Sequence, residues 1–291
     1  MDVNGDGKLD ILSGSYSRHD PDMAGLFQVL YGDAEGGFRP AEVLNGSDGK
    51  PLILQSRPGQ SGTTDKICTR PFAVDLNGDG KLDIVSGNFT GTFGLFLGEG
   101  DGKFSPTSTW LEADGKPMRV NAHSDPFLVD WDGDGDLDLL SGASDGGAYL
   151  FVNEGSRTEP KFGAKQTLVP AHRGTRGAST FGDAHITGPQ GSTRVWADDV
   201  DGDGKLDLLL GDSVSLTHLA DGVDEETARK GMAACDEKQK EISAPLQVAN
   251  GEQPSREAMK AFQAAYEELA KERAKFVREE RTGFVWLLRQ K

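Results

Sequence analysis

One nine-residue run recurs four times along the chain: DVNGDGKLD at 2–10, DLNGDGKLD at 75–83, DWDGDGDLD at 130–138 and DVDGDGKLD at 199–207. A chain so written folds as an array of similar units, not around one irregular core. An apolar segment leads into the run, as in PFAVD at 71–75, PFLVD at 126–130 and RVWAD at 194–198, and LDIVSGN or LDLLSGA leads out. A third segment follows (GLFQVLYGD, GTFGLFLGEG or GAYLFVNEG), and a fourth begins KFSP or KFGA. These segments are short, rich in Val, Leu, Ile and Phe, and bounded by Gly, Asp and Asn, which is the pattern of strands joined by tight turns. Each unit is expected to form a four-stranded antiparallel sheet, and the fold class is all-β. The runs start 73, 55 and 69 residues apart, and the excess falls in the Gly/Pro/Ser-rich stretches 55–71 and 170–194, expected as surface insertions.

The chemistry lies inside the run. Position 1 is Asp2, Asp75, Asp130 or Asp199, and position 3 is Asn4, Asn77, Asp132 or Asp201. Position 5 is Asp6, Asp79, Asp134 or Asp203, and position 9 is Asp10, Asp83, Asp138 or Asp207. Glycines at positions 4 and 6 let the backbone curl around a centre. Only oxygen donors are offered, which suits a hard cation with a flexible shell of six to eight oxygens; magnesium needs a tighter octahedron and zinc prefers nitrogen or sulfur. Calcium is the expected ion, at about four sites. The first half overlaps an EF-hand loop, but position 12 is Ser13, Ser86, Ser141 or Leu210 where an EF-hand has a bidentate Glu. Position 9 is therefore expected to close the site, with the backbone carbonyls of Lys8, Lys81, Asp136 and Lys205 as further ligands. Four divalent ions would halve the net charge of −16, which otherwise works against compaction.

These residues resemble the FG-GAP/VCBS repeat of integrin α-subunit-like β-propellers, over residues 1–219 and 282–291. NEGSRTEPKFG, STRVWADDVDGDGKLDLLLGD and TGFVWLLRQK are similar, more narrowly, to a group of secreted bacterial VCBS-repeat proteins. The resemblance implies a propeller whose cation loops join the first and second strands of each blade on one face of a ring. The first run has no strand leading into it and the last unit ends after its third strand, so an incomplete ring with a further piece upstream is expected.

Residues 220–281 depart from the repeat, turning to Ala, Glu, Lys and Gln. Asp224 is a candidate N-cap for a helix carrying Ala228, Met232, Cys235 and Ile242 on one stripe. After the break at 249–254, Ser255 is placed to cap a second helix with Met259, Phe262, Tyr266, Leu269 and Phe276 on one stripe and Glu267 paired with Lys271. The expectation is a helical hairpin inserted into the last blade, its stripes facing each other and its second helix about 37 Å long, with residues 282–291 as the closing strand. Cys235, at a stripe position, reads as core.

No window of the chain approaches the ~20 apolar residues of a membrane span, and so acidic a chain repels nucleic acid. No nucleophile, zinc or phosphate-loop signature is present. His123, Asp125, Asp183 and His185 precede strands that lead into successive runs, with Arg70 and Arg194 nearby, so they form a candidate ligand face opposite the cation loops. The function expected is an extracellular, cell-surface or periplasmic binding scaffold for a protein or glycan, stabilised by calcium. The alternative is a carbohydrate-active enzyme or lectin working through the His123 and His185 face.

Overall fold

The structure is a computed structural model that describes residues 1–16, 24–57, 59–60, 62–172, 180–244 and 255–290; the break at 249–254 lies outside these. The chain divides into two compact units: Met1–Arg173 with Gly188–Ser213 and Gly283–Lys291, and Gly174–Thr187 with Val214–Thr282.

The first unit holds one antiparallel sheet per repeat. The first sheet is β1 (Ile11–Ser13), β2 (Gln28–Leu30) and β3 (Glu42–Val43). The second begins with β4 (Arg70–Val74), β5 (Asp83–Gly87) and β6 (Phe93–Phe96); the chain then makes a small hairpin of β7 (Gly98–Gly100) and β8 (Lys103–Phe104) before β9 (Thr109–Trp110) completes the sheet. A second small hairpin, β10 (Glu112–Ala113) and β11 (Lys116–Pro117), leads to the third sheet: β12 (Asp125–Val129), β13 (Asp138–Gly142), β14 (Ala148–Phe151) and β15 (Gln166–Val169). In the fourth, β16 (Arg194–Asp198) and β17 (Asp207–Gly211) are joined by the late strand β20 (Val285–Leu288). Four-stranded sheets thus form at the second and third repeats, while among the described residues the first and fourth sheets have three strands each. Every pairing within these sheets is antiparallel.

Successive sheets pack face to face through three apolar clusters. Phe27 and Val29 of the first sheet meet Ala73, Ile84 and Phe96 of the second. Val85 and Phe93 then meet Leu128, Leu139 and Phe151 of the third, and Phe127, Leu140 and Leu150 meet Val195, Leu208 and Leu210 of the fourth. Burial follows the sequence pattern. β5 (DIVSG) and β13 (DLLSG) are apolar without alternation and wholly buried, because both faces of their sheets are covered. β16 (RVWAD) alternates exposed and buried, because one face of the fourth sheet is open. Trp196, Val285 and Leu287 lie on that open face, Trp196 at 56% and Val285 at 75% exposure.

A glycine after β-strand residues Ser13, Ser86 and Ser141 explains how closely the sheets approach. A Cβ on Gly14 would sit 1.9 Å from the Thr69 carbonyl oxygen, on Gly87 2.0 Å from that of Ser124, and on Gly142 2.2 Å from that of Thr193. The hydroxyls of the same three residues accept the amides of Ser15, Asn88 and Ala143 at 2.8, 2.9 and 2.9 Å. Gly211 holds the equivalent position in the fourth sheet, where the nearest atom is Arg194 Cβ at 3.9 Å.

In the second unit, β18 (Val214–Leu219) pairs with β19 (Val277–Thr282) over six residues each, so residues 214–219, which in the sequence lie with the blades, form a ribbon with the far end of the helical segment. Helix α1 (Glu225–Ser243) is capped by Asp224, which accepts the Thr227 amide at 2.9 Å, and α2 (Arg256–Arg273) by Ser255, which accepts that of Ala258 at 3.1 Å. Ala228, Met232 and Val277 form the core with Leu219, Val223, Phe181 and Phe276. Gly231 makes room for the Phe276 ring, 2.5 Å from where a Cβ would stand.

Three expectations for this segment are corrected. The second helix is 18 residues long, about 27 Å, because the alternating VREERT after it is extended and Phe276 turns into the core. Of the α2 stripe only Leu269 is buried, with Met259 and Tyr266 at 47% and 46% exposure; Cys235 of the first stripe lines one cavity with Tyr266 and Leu269 of the second, and the Lys238–Glu272 and Arg273–Asp236 ion pairs link the two helices. Lys271 pairs with Glu268 at 2.6 Å, three residues back, instead of with Glu267, four back.

The chain leaves the fourth sheet at Ser213 and returns at Gly283, where the Asp212 amide bonds the Phe284 carbonyl at 3.0 Å and Asp212 Oδ1 accepts the Phe284 amide at 2.7 Å. Those ends need only a short link. Replacing residues 214–282 with a glycine-rich turn is expected to abolish helical circular dichroism and keep a cooperative melting transition for the four-sheet unit; loss of that transition would show the sheets depend on the helices.

Candidate metal centres

Each nine-residue run folds into the same loop between a sheet's leading position and its second strand. The eight glycines at positions 4 and 6 all have positive φ, from 70° at Gly78 to 95° at Gly135, a region other residues enter at a cost. The backbone amides so turned converge on the first carboxylate. Asp2 Oδ1 accepts Gly5 and Asp6 amides at 2.8 and 3.1 Å and its Oδ2 accepts Gly7 at 2.8 Å. Asp75 repeats this with Asp79 and Gly80, Asp130 with Gly133 and Gly135, and Asp199 with Gly202, Asp203 and Gly204. Position 5 accepts the amide of position 7 in every loop: Asp6 from Lys8, Asp79 from Lys81, Asp134 from Asp136 and Asp203 from Lys205. Asn4 and Asn77 accept from position 5.

The carboxylate at position 9 is buried in all four loops, and it ties each loop to a strand far away in sequence. Asp10 accepts the amides of Val3 and Gly32 at 2.8 and 2.9 Å, Asp83 those of Leu76 and Gly98 at 3.0 and 2.7 Å, and Asp138 those of Trp131 and Asn153 at 2.9 and 2.7 Å. Asp207 accepts Gln290 at 3.1 Å. The motif spacing reveals the carboxylate but not these third-strand amides, which come from turns of dissimilar sequence. Burial pushes Asp83 and Asp138 above the ordinary carboxylate range in spite of the amides they accept. Their raised pKa means a contribution to stability that is complete below the unfolded-state value and lost as pH rises through the folded-state one.

The donor set fits a hard cation. Oxygens of Asp130, Asp132 and Asp138 lie within 4.8 Å of one another, as do those of Asp199, Asp201 and Asp203. Among the described residues, Asp207 Oδ2 is a buried oxygen with no hydrogen-bond donor, the condition a cation would relieve. Positive side chains already stand at three loops: Arg39 at Asp6, Arg157 at Asp75 and Arg289 at Asp201. The third loop, Asp130, Asp132, Asp134, Asp136 and Asp138, has no such ion pair among the described residues.

The candidate ligand face divides between the two units. Asp183 and His185 are exposed residues of the second unit. In the first, Arg70, Asp125 and Arg194 begin β4, β12 and β16, and Asp125 Oδ1 lies 4.0 Å from Arg70 Nε and 3.6 Å from Arg194 Nε. Arg70 Nη1 donates to the His123 carbonyl at 2.7 Å, and the His123 ring packs on Phe89. Burial raises Asp125 against the pull of both guanidiniums. This row ties three neighbouring sheets together.

Two stretches of the chain, residues 75–126 and 130–210, match the family described as FG-GAP-like repeat; they contain the second, third and fourth loops. None of the curated proteins matches the chain. No helix among the described residues is long and apolar enough to cross a membrane.

Two substitutions separate the structural from the ligating role. Asp138→Ala leaves the Trp131 and Asn153 amides without their acceptor, each costing about 1–3 kcal/mol, so its melting temperature should fall in chelator and in calcium alike. Asp132→Ala is exposed and should leave stability in chelator unchanged while weakening cation binding. Equal behaviour of the two variants in chelator would contradict the assignment.

Proposed function

From the premise that this chain is an FG-GAP-like repeat protein, we propose that it is a calcium-stabilised β-propeller segment serving as an extracellular interaction scaffold. The observation that carries the reading is the fourfold loop, in which backbone amides hold the carboxylates of positions 1, 5 and 9, and in which oxygens of Asp130, Asp132 and Asp138, and of Asp199, Asp201 and Asp203, lie within 4.8 Å of one another. Oxygen-only donors and a flexible glycine-rich backbone favour calcium over magnesium. The ligands are the side chains at positions 1, 3, 5 and 9 with the carbonyl of position 7. Affinities of about 10⁻⁴–10⁻³ M are enough outside the cell. The third loop, with most negative charge and no paired cation, fills first.

The propeller reading is supported by the face-to-face succession of the sheets and by the fourth sheet, where, among the described residues, an apolar face stays exposed and no backbone approaches Gly211 as it does the equivalent glycines of the other three sheets. The scaffold role follows from rigid sheets carrying long connecting loops, the arrangement on which binding surfaces are commonly built. Its partner is a protein or a glycan.

An ion bound only by the folded state stabilises it by RT ln(1 + [L]/Kd). The melting temperature of the first unit should therefore rise with calcium from a chelator baseline and rise less with equimolar magnesium. Identical curves in chelator and in millimolar calcium would end the calcium reading.

A further inference from the structure

A polar cavity of about 300 Å³ in the first unit is lined by Arg57, Thr64, Asp65, Thr90 and Arg119, among others. Its floor is built around Asp65, at 4% exposure. Asp65 Oδ2 accepts the Arg57 amide and Nε at 3.2 and 3.1 Å, and Oδ1 accepts Arg57 Nη2 at 2.9 Å and the Thr90 hydroxyl at 2.8 Å. Beneath it, the fully buried Asn88 donates from Nδ2 to the Asp65 carbonyl and to Thr92 Oγ1. Burial alone would raise Asp65, but the bonds from Arg57 and Thr90 together hold its carboxyl below the ordinary range.

With four donors on its two oxygens, Asp65 has little capacity left for anything else and acts as a positioning residue. It occupies the Nε/Nη2 edge of Arg57, leaving Nη1 and the second Nη2 hydrogen, the planar pair that matches a carboxylate. Arg119 lines the same cavity and, among the described residues, its side chain has neither an ion pair nor a hydrogen bond. Two guanidiniums against one carboxylate leave the cavity at +1 in a chain whose net charge is −16. A purely structural tie between Arg57 and Asp65 requires neither the cavity nor the second arginine.

We propose that this cavity binds a small carboxylate-bearing ligand, seated between the free edge of Arg57 and Arg119, with the threonine oxygens as neighbours for its hydroxyl groups. The site uses none of the cation loops, so it stands or falls separately from the calcium reading. All arms of the test are run in one buffer without added divalent cation, because calcium would precipitate phosphate and bind glucuronate.

The probe is D-glucuronate, with D-glucose and inorganic phosphate as comparisons, titrated calorimetrically into the whole chain. Glucuronate is expected to bind saturably and glucose not at all. Arg119→Ala, a change at an exposed residue, should keep the melting temperature and lose at least about tenfold in affinity; Arg119→Lys should lose less. Arg57→Lys keeps a charge beside Asp65 and loses the fork, so it should also weaken glucuronate. No glucuronate binding to the wild type would overturn the proposal, as would binding indifferent to Arg119→Ala. Tighter binding of phosphate than of glucuronate would overturn the carboxylate assignment.

Discussion

The buried carboxylate at position 9 is the interaction on which the rest of the first unit depends. Asp10, Asp83, Asp138 and Asp207 each stand where a loop, the second strand and the turn beyond the third strand converge, and each accepts a backbone amide from across the sheet. One side chain thereby fixes the loop's shape and its register against the sheet. Burying a carboxylate is unfavourable unless its charge is met. Amides meet part of it at Asp83 and Asp138, yet both remain displaced upward by burial. A cation among the neighbouring carboxylates would supply the remainder, so the metal and the fold answer the same electrostatic demand.

The repeat also dictates how sheets meet. Apolar side chains of one sheet's second and third strands point to the next sheet, and the glycine closing the second strand lets the next repeat's Ser or Thr backbone pass in contact. Because Thr69, Ser124 and Thr193 return a hydrogen bond through their hydroxyls, each junction adds a polar contact to an apolar centre. Asp125, between Arg70 and Arg194, extends the same linkage through charge. The second unit obeys other rules, those of capped helices on a two-stranded ribbon.

Much of this was legible in the residues. Alternating turn signals gave the antiparallel sheets, the glycines at positions 4 and 6 announced left-handed backbone, and Asp224 and Ser255 marked both helix starts. Less visible was what depends on contacts distant in sequence. The amides of Gly32, Gly98 and Asn153 on the position-9 carboxylates come from turns with no shared motif. The strand at Val277–Thr282 carries four charged residues, so its pairing with Val214–Leu219 overrides a composition that continues the helical pattern. Asp65 and Arg57 sit in a stretch read only as a surface insertion, since nothing in their spacing shows that one buries the other.

The most direct test is a crystal structure grown with calcium and measured for anomalous scattering. Four peaks are predicted, one in each loop, every ion about 2.3–2.6 Å from oxygens of positions 1, 3, 5 and 9 and from the position-7 carbonyl. Loops closed by their own hydrogen bonds, with no peak at Asp130, Asp132 and Asp138, would contradict the account.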